Sequence, residues 1–199
     1  MENVGVGKGV TSVGSSAFAT FQNVTSVNLA DTITTIGDHA FRNMSKLENI
    51  ELPSSLVTID DAAFISCTHL KTIIVPNSVE TIGEQAFYNA KRLESVIIPS
   101  SVTSIGLHAF GVGDRRIAGT VYCEQPLEGT SPCNSTDLGL PKSRFAYYTK
   151  DNNGNIIVNG QKYSSLEKLA KGQYVRRIYT VEEAEAVAGK TNRVTIKYR

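Results

Sequence analysis

Phenylalanine returns every 23 residues, at Phe18, Phe41, Phe64, Phe87 and Phe110, and each is preceded by alanine. Apolar columns keep the same register: Val13, Ile36, Ile59, Ile82 and Ile105 upstream, then Val27, Ile50, Ile73 and Val96 downstream. A unit this short holds too few apolar side chains to bury them by itself. Neighbouring units must therefore stack and share one core, which restricts the chain to a solenoid. Function then has to be sought on the faces of the stack.

Within one unit, Leu47-Glu48-Asn49-Ile50-Glu51-Leu52 ends in an in, out, in alternation, the period of a β-strand. Stacking aligns these strands into a parallel sheet. Pro53, Pro76 and Pro99 cannot donate to a ladder and close three coils, with serines and Asn77 supplying the turns. Four residues before each Phe stands Gly14, Gly37, Asp60, Gly83 or Gly106. This column predicts a backbone position with φ > 0. A short helical or irregular turn through Ala-Phe then carries the ring into the core.

Pro99-Ser100-Ser101-Val102-Thr103-Ser104-Ile105-Gly106-Leu107-His108-Ala109-Phe110 and Ala63-Phe64-Ile65-Ser66-Cys67 resemble the treponemal-type leucine-rich repeat of the BspA-like family. The resemblance covers about residues 6 to 123. It implies an α/β repeat fold, a leucine-rich-repeat solenoid of about five coils with stacked parallel strands. It also implies an extracellular or surface-displayed bacterial protein, some members of the family looking like adhesins for host matrix proteins or other cells. The sequence departs from the pattern at Asp60, in an incomplete first coil, and after Phe110, where Gly111-Val112-Gly113-Asp114-Arg115-Arg116 stands in place of the run to the next strand.

From Pro141 the register disappears, and the charge changes with it. Residues 1–141 hold 8 Lys/Arg against 14 Asp/Glu, whereas residues 142–199 hold 12 against 5. The expected division is a solenoid over 1–123, a connecting loop over 124–142, and a small α/β capping or anchoring module over 143–199. In that module Arg144–Thr149 and Ile156–Val158 read as a hairpin around Asp151–Asn155, Tyr163–Ala170 and Val181–Ala188 as helices, and Arg193–Arg199 as a strand. The acidic first part disfavours nucleic acid as a partner, and the basic second part favours either an anionic partner or the acidic half of the chain beside it. No apolar run is long enough to span a membrane, and Met1–Lys8 lacks the apolar stretch of a signal peptide.

Cys67 shares a column with Phe21, Met44 and Ala90, which marks a core slot and not a nucleophile. Cys123 and Cys133 are near enough in sequence to form a disulfide, and two free thiols are the alternative. His39 and His108 occupy one column three coils apart, roughly 14 Å at the spacing of adjacent strands, too far to share a metal ion. No nucleophile–base constellation, phosphate loop or paired carboxylate can be placed, so neither a cofactor nor catalysis is expected.

The outward strand positions are the more informative surface. One column reads Thr25, Glu48, Lys71, Glu94, and another Asn28, Glu51, Ile74, Ile97, Thr120, with Tyr122 two residues further on. Outward isoleucine is ordinary strand chemistry, yet adjacent Ile74 and Ile97 beside a tyrosine also suit an apolar recognition patch. The expected partner site is therefore Glu51, Ile74, Ile97 and Tyr122, with Glu48, Lys71 and Glu94 tuning charge at its margin. The expected function is non-catalytic protein binding, for example to a host matrix or cell-surface protein. The alternative is a structural spacer that presents the basic C-terminal module for anchoring or assembly.

Overall fold

The computed structural model describes residues 2–111, 119–124, 133, 138 and 145–172. Two sets of short parallel strands run up the stack. The first consists of β1 (Glu2–Val6), β3 (Val24–Leu29), β5 (Asn49–Glu51), β7 (Thr72–Ile74), β9 (Ser95–Ile98) and β11 (Thr120–Glu124); the second of β2 (Ser12–Val13), β4 (Thr35–Ile36), β6 (Thr58–Ile59), β8 (Thr81–Ile82) and β10 (Ser104–Ile105). Pairing follows the sequence repeat, with Val27 opposite Ile50, Ile73 opposite Val96, and Ile36 opposite Ile59.

Between the two strand sets, each Ala-Phe segment forms consecutive turns, and among the described residues no helix occurs in the coils. The cause lies in residues two before and two after each Phe. His39, Ala62, Gln85 and His108 have φ of 50–55°, and Asn43, Ser66 and Asn89 have φ of 58–63°. Left-handed residues cannot propagate a right-handed helix. His39, Asn43, Ala62, Ser66, Gln85 and Asn89 also turn their N–H groups toward the next coil: His39 donates to the carbonyl of Asp61, Ala62 to Glu84 and Asn89 to Gly111. Inter-coil hydrogen bonds thus offset the backbone strain.

This finding corrects the expectation for the glycine column, because Gly14, Gly37, Gly83 and Gly106 are not among the positive-φ residues. Their role is close approach between coils. A Cβ at Gly83 would stand 2.5 Å from the backbone of Asp60, and one at Gly106 2.2 Å from the amide nitrogen of Glu84. At Gly14, on the first coil, nothing lies within 4 Å.

The phenylalanines form one continuous stack, with ring centroids 5.5, 5.1, 5.0 and 5.2 Å apart from Phe18 to Phe110. Phe41, Phe64, Phe87 and Phe110 are fully buried, and Leu47, Leu70, Leu93 and the isoleucines of β4, β6 and β8 close the core around them. Cys67 sits in this core, where burial pushes its thiol up to about 12 and Sγ lies 3.2 Å from the Phe41 carbonyl. It is a packing residue.

Beyond the coils, β12 (Phe145–Lys150) pairs in parallel with β11, placing Phe145 opposite Val121. The sheet thus continues across the boundary expected at residue 143. β13 (Ile156–Val158) and β14 (Gln161–Tyr163) then add antiparallel strands. Tyr163 belongs to β14, so the expected Tyr163–Ala170 helix shortens to α1 (Leu166–Ala170). The reason is the pair Asn159 and Gly160, both with positive φ, which makes a two-residue turn and sends the chain back as a strand. Ser165 caps α1 by accepting the Lys168 N–H. The helix expected at Val181–Ala188 and the strand at Arg193–Arg199 lie outside the described residues.

Candidate interaction face

The strand face carries two outward rows. Asn3, Ser26, Asn49, Thr72, Ser95 and Thr120 form one. Gly5, Asn28, Glu51, Ile74, Ile97 and Tyr122 form the other. Tyr122, not Thr120, stands opposite Ile97, because the last coil places its strand two residues later than the repeat predicts.

Along these rows the character changes at the third coil. Asn3, Gly5, Asn28, Asn49 and Glu51 are exposed and small or polar. Ile74, Ile97 and Tyr122, by contrast, face the chain's own C-terminal segment. Ile97 is fully buried with Tyr148, Ile156, Val158, Tyr163 and Leu169, and Ile74 and Tyr122 pack half-buried against that cluster. α1 lies over β7 and β9, and the Ser95 hydroxyl donates to the Ala170 carbonyl at 2.9 Å. This hydrogen bond satisfies the buried Ser95 hydroxyl.

The expectation of an open apolar patch is corrected accordingly: Ile97 is not available to a partner in this fold. The outward isoleucines are the seat of the residue 145–172 segment, since apolar side chains on a strand face lose water most cheaply against another apolar layer of the same chain. Glu51 remains open. At the margin, Lys71 Nζ bonds Glu48 Oε2 at 2.7 Å, both side chains being 43% exposed, and this hydrogen bond holds the Glu48 carboxyl below its ordinary value. Such an exposed pair contributes little to stability. Glu94 is exposed in the neighbouring coil.

The strand ladder is interrupted between β5 and β7, one sheet ending at β5 and the next beginning at β7. A cleft of about 670 Å³ opens over this break. Ile50, Leu52, Ile74 and Pro76 give it an apolar floor, Asn49, Thr72 and Ser54 add polar groups, and Glu51 and Glu167 stand in its lining. Asn49 and Thr72, absent from the expected partner site, are outward because they precede Glu51 and Ile74 by two residues on the same strands. Glu167 carries no sequence signal, because only the fold-back of α1 brings it to the coils.

Two devices hold the cover in place. Cys123 and Cys133 are joined by a disulfide, with Cα atoms 6.3 Å apart, and the Tyr147 hydroxyl donates to the Cys133 carbonyl at 2.9 Å. The bridge closes a sequence separation of ten residues, so Cys123→Ser with Cys133→Ser is expected to cost about 2–3 kcal/mol by loop-closure entropy. Comparing urea midpoints of oxidised wild type and double variant measures it; coincident midpoints would discount the bridge.

Electrostatics supply the second device. Glu124 bonds Lys150 at 2.7 Å, the Ser100 N–H at 3.1 Å and the Tyr148 hydroxyl at 3.4 Å. Burial raises its carboxyl, but the Lys150 and Ser100 hydrogen bonds outweigh that and leave it below the ordinary 4.5. Burial, then the Glu124 charge, push Tyr148 well above the usual phenol range. In the hairpin turn, Asp151 bonds Lys162 at 2.8 Å and accepts from the Asn153 and Asn155 N–H groups. The Lys162 and Asn155 hydrogen bonds hold it well below the ordinary 3.8.

Both folded values are depressed, so these carboxylates stabilise the fold above their ordinary values, and the contribution is lost as the pH falls through the lowered ones. At about pH 3, β12–β14 amides should lose hydrogen-exchange protection before those of the coils. Simultaneous loss in both regions would contradict this assignment.

A sequence profile of the BspA type leucine rich repeat region matches residues 1–112 in six copies. The chain belongs to the BspA-type leucine-rich repeat family. Among solved structures it is similar to a T. pallidum leucine-rich repeat protein, at 33% identity and TM-score 0.57, covering 62% of this chain and 58% of that one. A Bacteroides ovatus leucine-rich repeat protein shares 28% identity at TM-score 0.53, over 62% of this chain and 39% of its own. The pneumococcal vaccine antigen PcpA shares the fold at 22% identity and TM-score 0.61, over 76% and 37%. The chain thus spans less than two thirds of each of these relatives. No curated protein matches it. Among the described residues, no helix is long and apolar enough to cross a membrane.

Proposed function

We propose that this BspA-type repeat chain is a non-catalytic protein-binding domain of a secreted or surface-displayed bacterial protein, and that the open half of its strand face makes the contact. The observation that carries the reading is the division of that face: its apolar half is occupied by residues 145–172, while Asn3, Asn28, Asn49 and Glu51 present an ordered, exposed polar surface across successive coils. Parallel strands repeat these side chains at about 4.8 Å, so recognition spreads over several coils. Glu48, Lys71 and Glu94 border this surface and would act mainly on association rate and salt dependence. The Cys123–Cys133 disulfide supports an oxidising, extracellular setting.

A second reading rests on charge. Residues 142–199 hold 12 Lys/Arg against 5 Asp/Glu, which suits a spacer whose solenoid presents a basic module to an acidic partner. A pull-down of the intact chain against extracellular-matrix and cell-surface proteins separates the two. Loss of capture on Asn28→Arg with Asn49→Arg supports the strand face. Loss only when Arg176, Arg177, Arg193, Lys197 and Arg199 are neutralised supports the spacer reading, and these residues lie outside the described ones.

A further inference from the structure

The cleft between β5 and β7 joins features that the two halves of the chain supply separately. Its floor of Ile50, Leu52, Ile74 and Pro76 is apolar, Asn49, Ser54 and Thr72 offer side-chain oxygens, and two carboxylates stand in its lining. Glu51 comes from the coil and Glu167 from the helix laid across the sheet. Among the described residues, neither carboxylate forms an ion pair; the Ser165 hydrogen bond, with a smaller contribution from the Lys171 charge, holds the Glu167 carboxyl below its ordinary value.

From this arrangement we infer that the cleft is a pocket for an arginine side chain presented by a protein partner. This deepens, and rests on, the reading of the chain as a protein-binding domain. The lining carries two carboxylates, and the Asn49, Ser54 and Thr72 oxygens can accept hydrogen bonds beside them, so a cation rich in donors suits it. A guanidinium offers five N–H groups in a plane and satisfies two carboxylates and neighbouring oxygens together, which an ammonium does less well. Its methylene stem matches the apolar floor, where it is covered without removing the charged end from the carboxylates. Because Glu167 arrives on α1, the pocket exists only while residues 145–172 cover the strand face. The cover therefore completes the recognition surface it partly occupies.

The test uses the intact, disulfide-bonded chain, labelled with nitrogen-15 and titrated with the blocked peptide Gly-Ser-Arg-Ser-Gly and with its isosteric citrulline counterpart. The expected result is saturable shifts of the amides of residues 49–52, 72–74 and 167 with the arginine peptide, and binding at least about tenfold weaker for citrulline. Glu51→Gln with Glu167→Gln should weaken the arginine peptide by a further fold-change of that size, and Glu80→Gln, an exposed carboxylate outside the cleft, should leave it unchanged. Circular dichroism checks that each variant folds. Equal affinity for the two peptides, or shifts that map away from these residues, overturns the pocket. If a captured protein partner is retained by the double variant, the pocket fails while the binding function stands. If the peptide binds but no protein is captured, the function fails and the pocket stands.

Discussion

Phe64→Ala is expected to destabilise the chain by about 3–5 kcal/mol, read as a shift of the urea midpoint. The ring is fully buried and stacks on both neighbours, 5.1 Å from Phe41 and 5.0 Å from Phe87, nearly parallel to each. Removing it leaves a cavity between two coils whose spacing is fixed by backbone bonds, Phe41 to Ala63 and Phe64 to Ala86, so the stack cannot collapse to fill it. Glu48→Ala, which breaks only the exposed pair with Lys71, should stay within roughly 0.5 kcal/mol. Similar small losses in both variants would mean that the Phe column does not carry the core.

Ile97→Asp should have an effect of the same order, roughly 3–5 kcal/mol, because a carboxylate would stand unpaired in a fully buried site. Its character should differ. The substitution lies between the sheet and the layer of Tyr148, Ile156, Val158 and Leu169, so the first consequence is release of residues 145–172 from the coils. Limited proteolysis should open the hairpin while the Phe stack stays folded. Ile74→Asp, half-buried at the edge of the same cluster, should do less. A folded Ile97→Asp variant with unchanged stability and an intact hairpin would show that the cover does not depend on this contact. The same reasoning makes Ile97 unsuitable for testing binding, since its loss disturbs the fold first.

The inward columns, the parallel strands and the repeat boundaries were legible in the sequence because they follow from local alternation and a fixed register. Val27, Ile50, Ile73 and Val96 point inward wherever the coils stack, and they pair as their spacing requires. Positive φ was misplaced by two residues. The glycine column looked like a conformational requirement, yet its cause is the nearness of the next coil's backbone, 2.2 Å from a Cβ at Gly106, and no single repeat displays its neighbour.

The face available to a partner was legible only in part. Strand alternation identified Glu51, Ile74 and Ile97 as outward, and Glu51 is exposed, but the second outward row was read one residue early, at Glu48, Lys71 and Glu94 instead of Asn49, Thr72 and Ser95. Sequence by itself determined which side chains leave the core, because that depends on the two-residue period of a strand. The tertiary structure alone decided which of them meet water. Burial of Ile97 depends on Leu169, 72 positions later, and the lining of the cleft on Glu167, which α1 brings to the coils. Both arise when a hairpin and one short helix fold back over an apolar strip, an event set by the free energy of covering that strip and written in no local pattern.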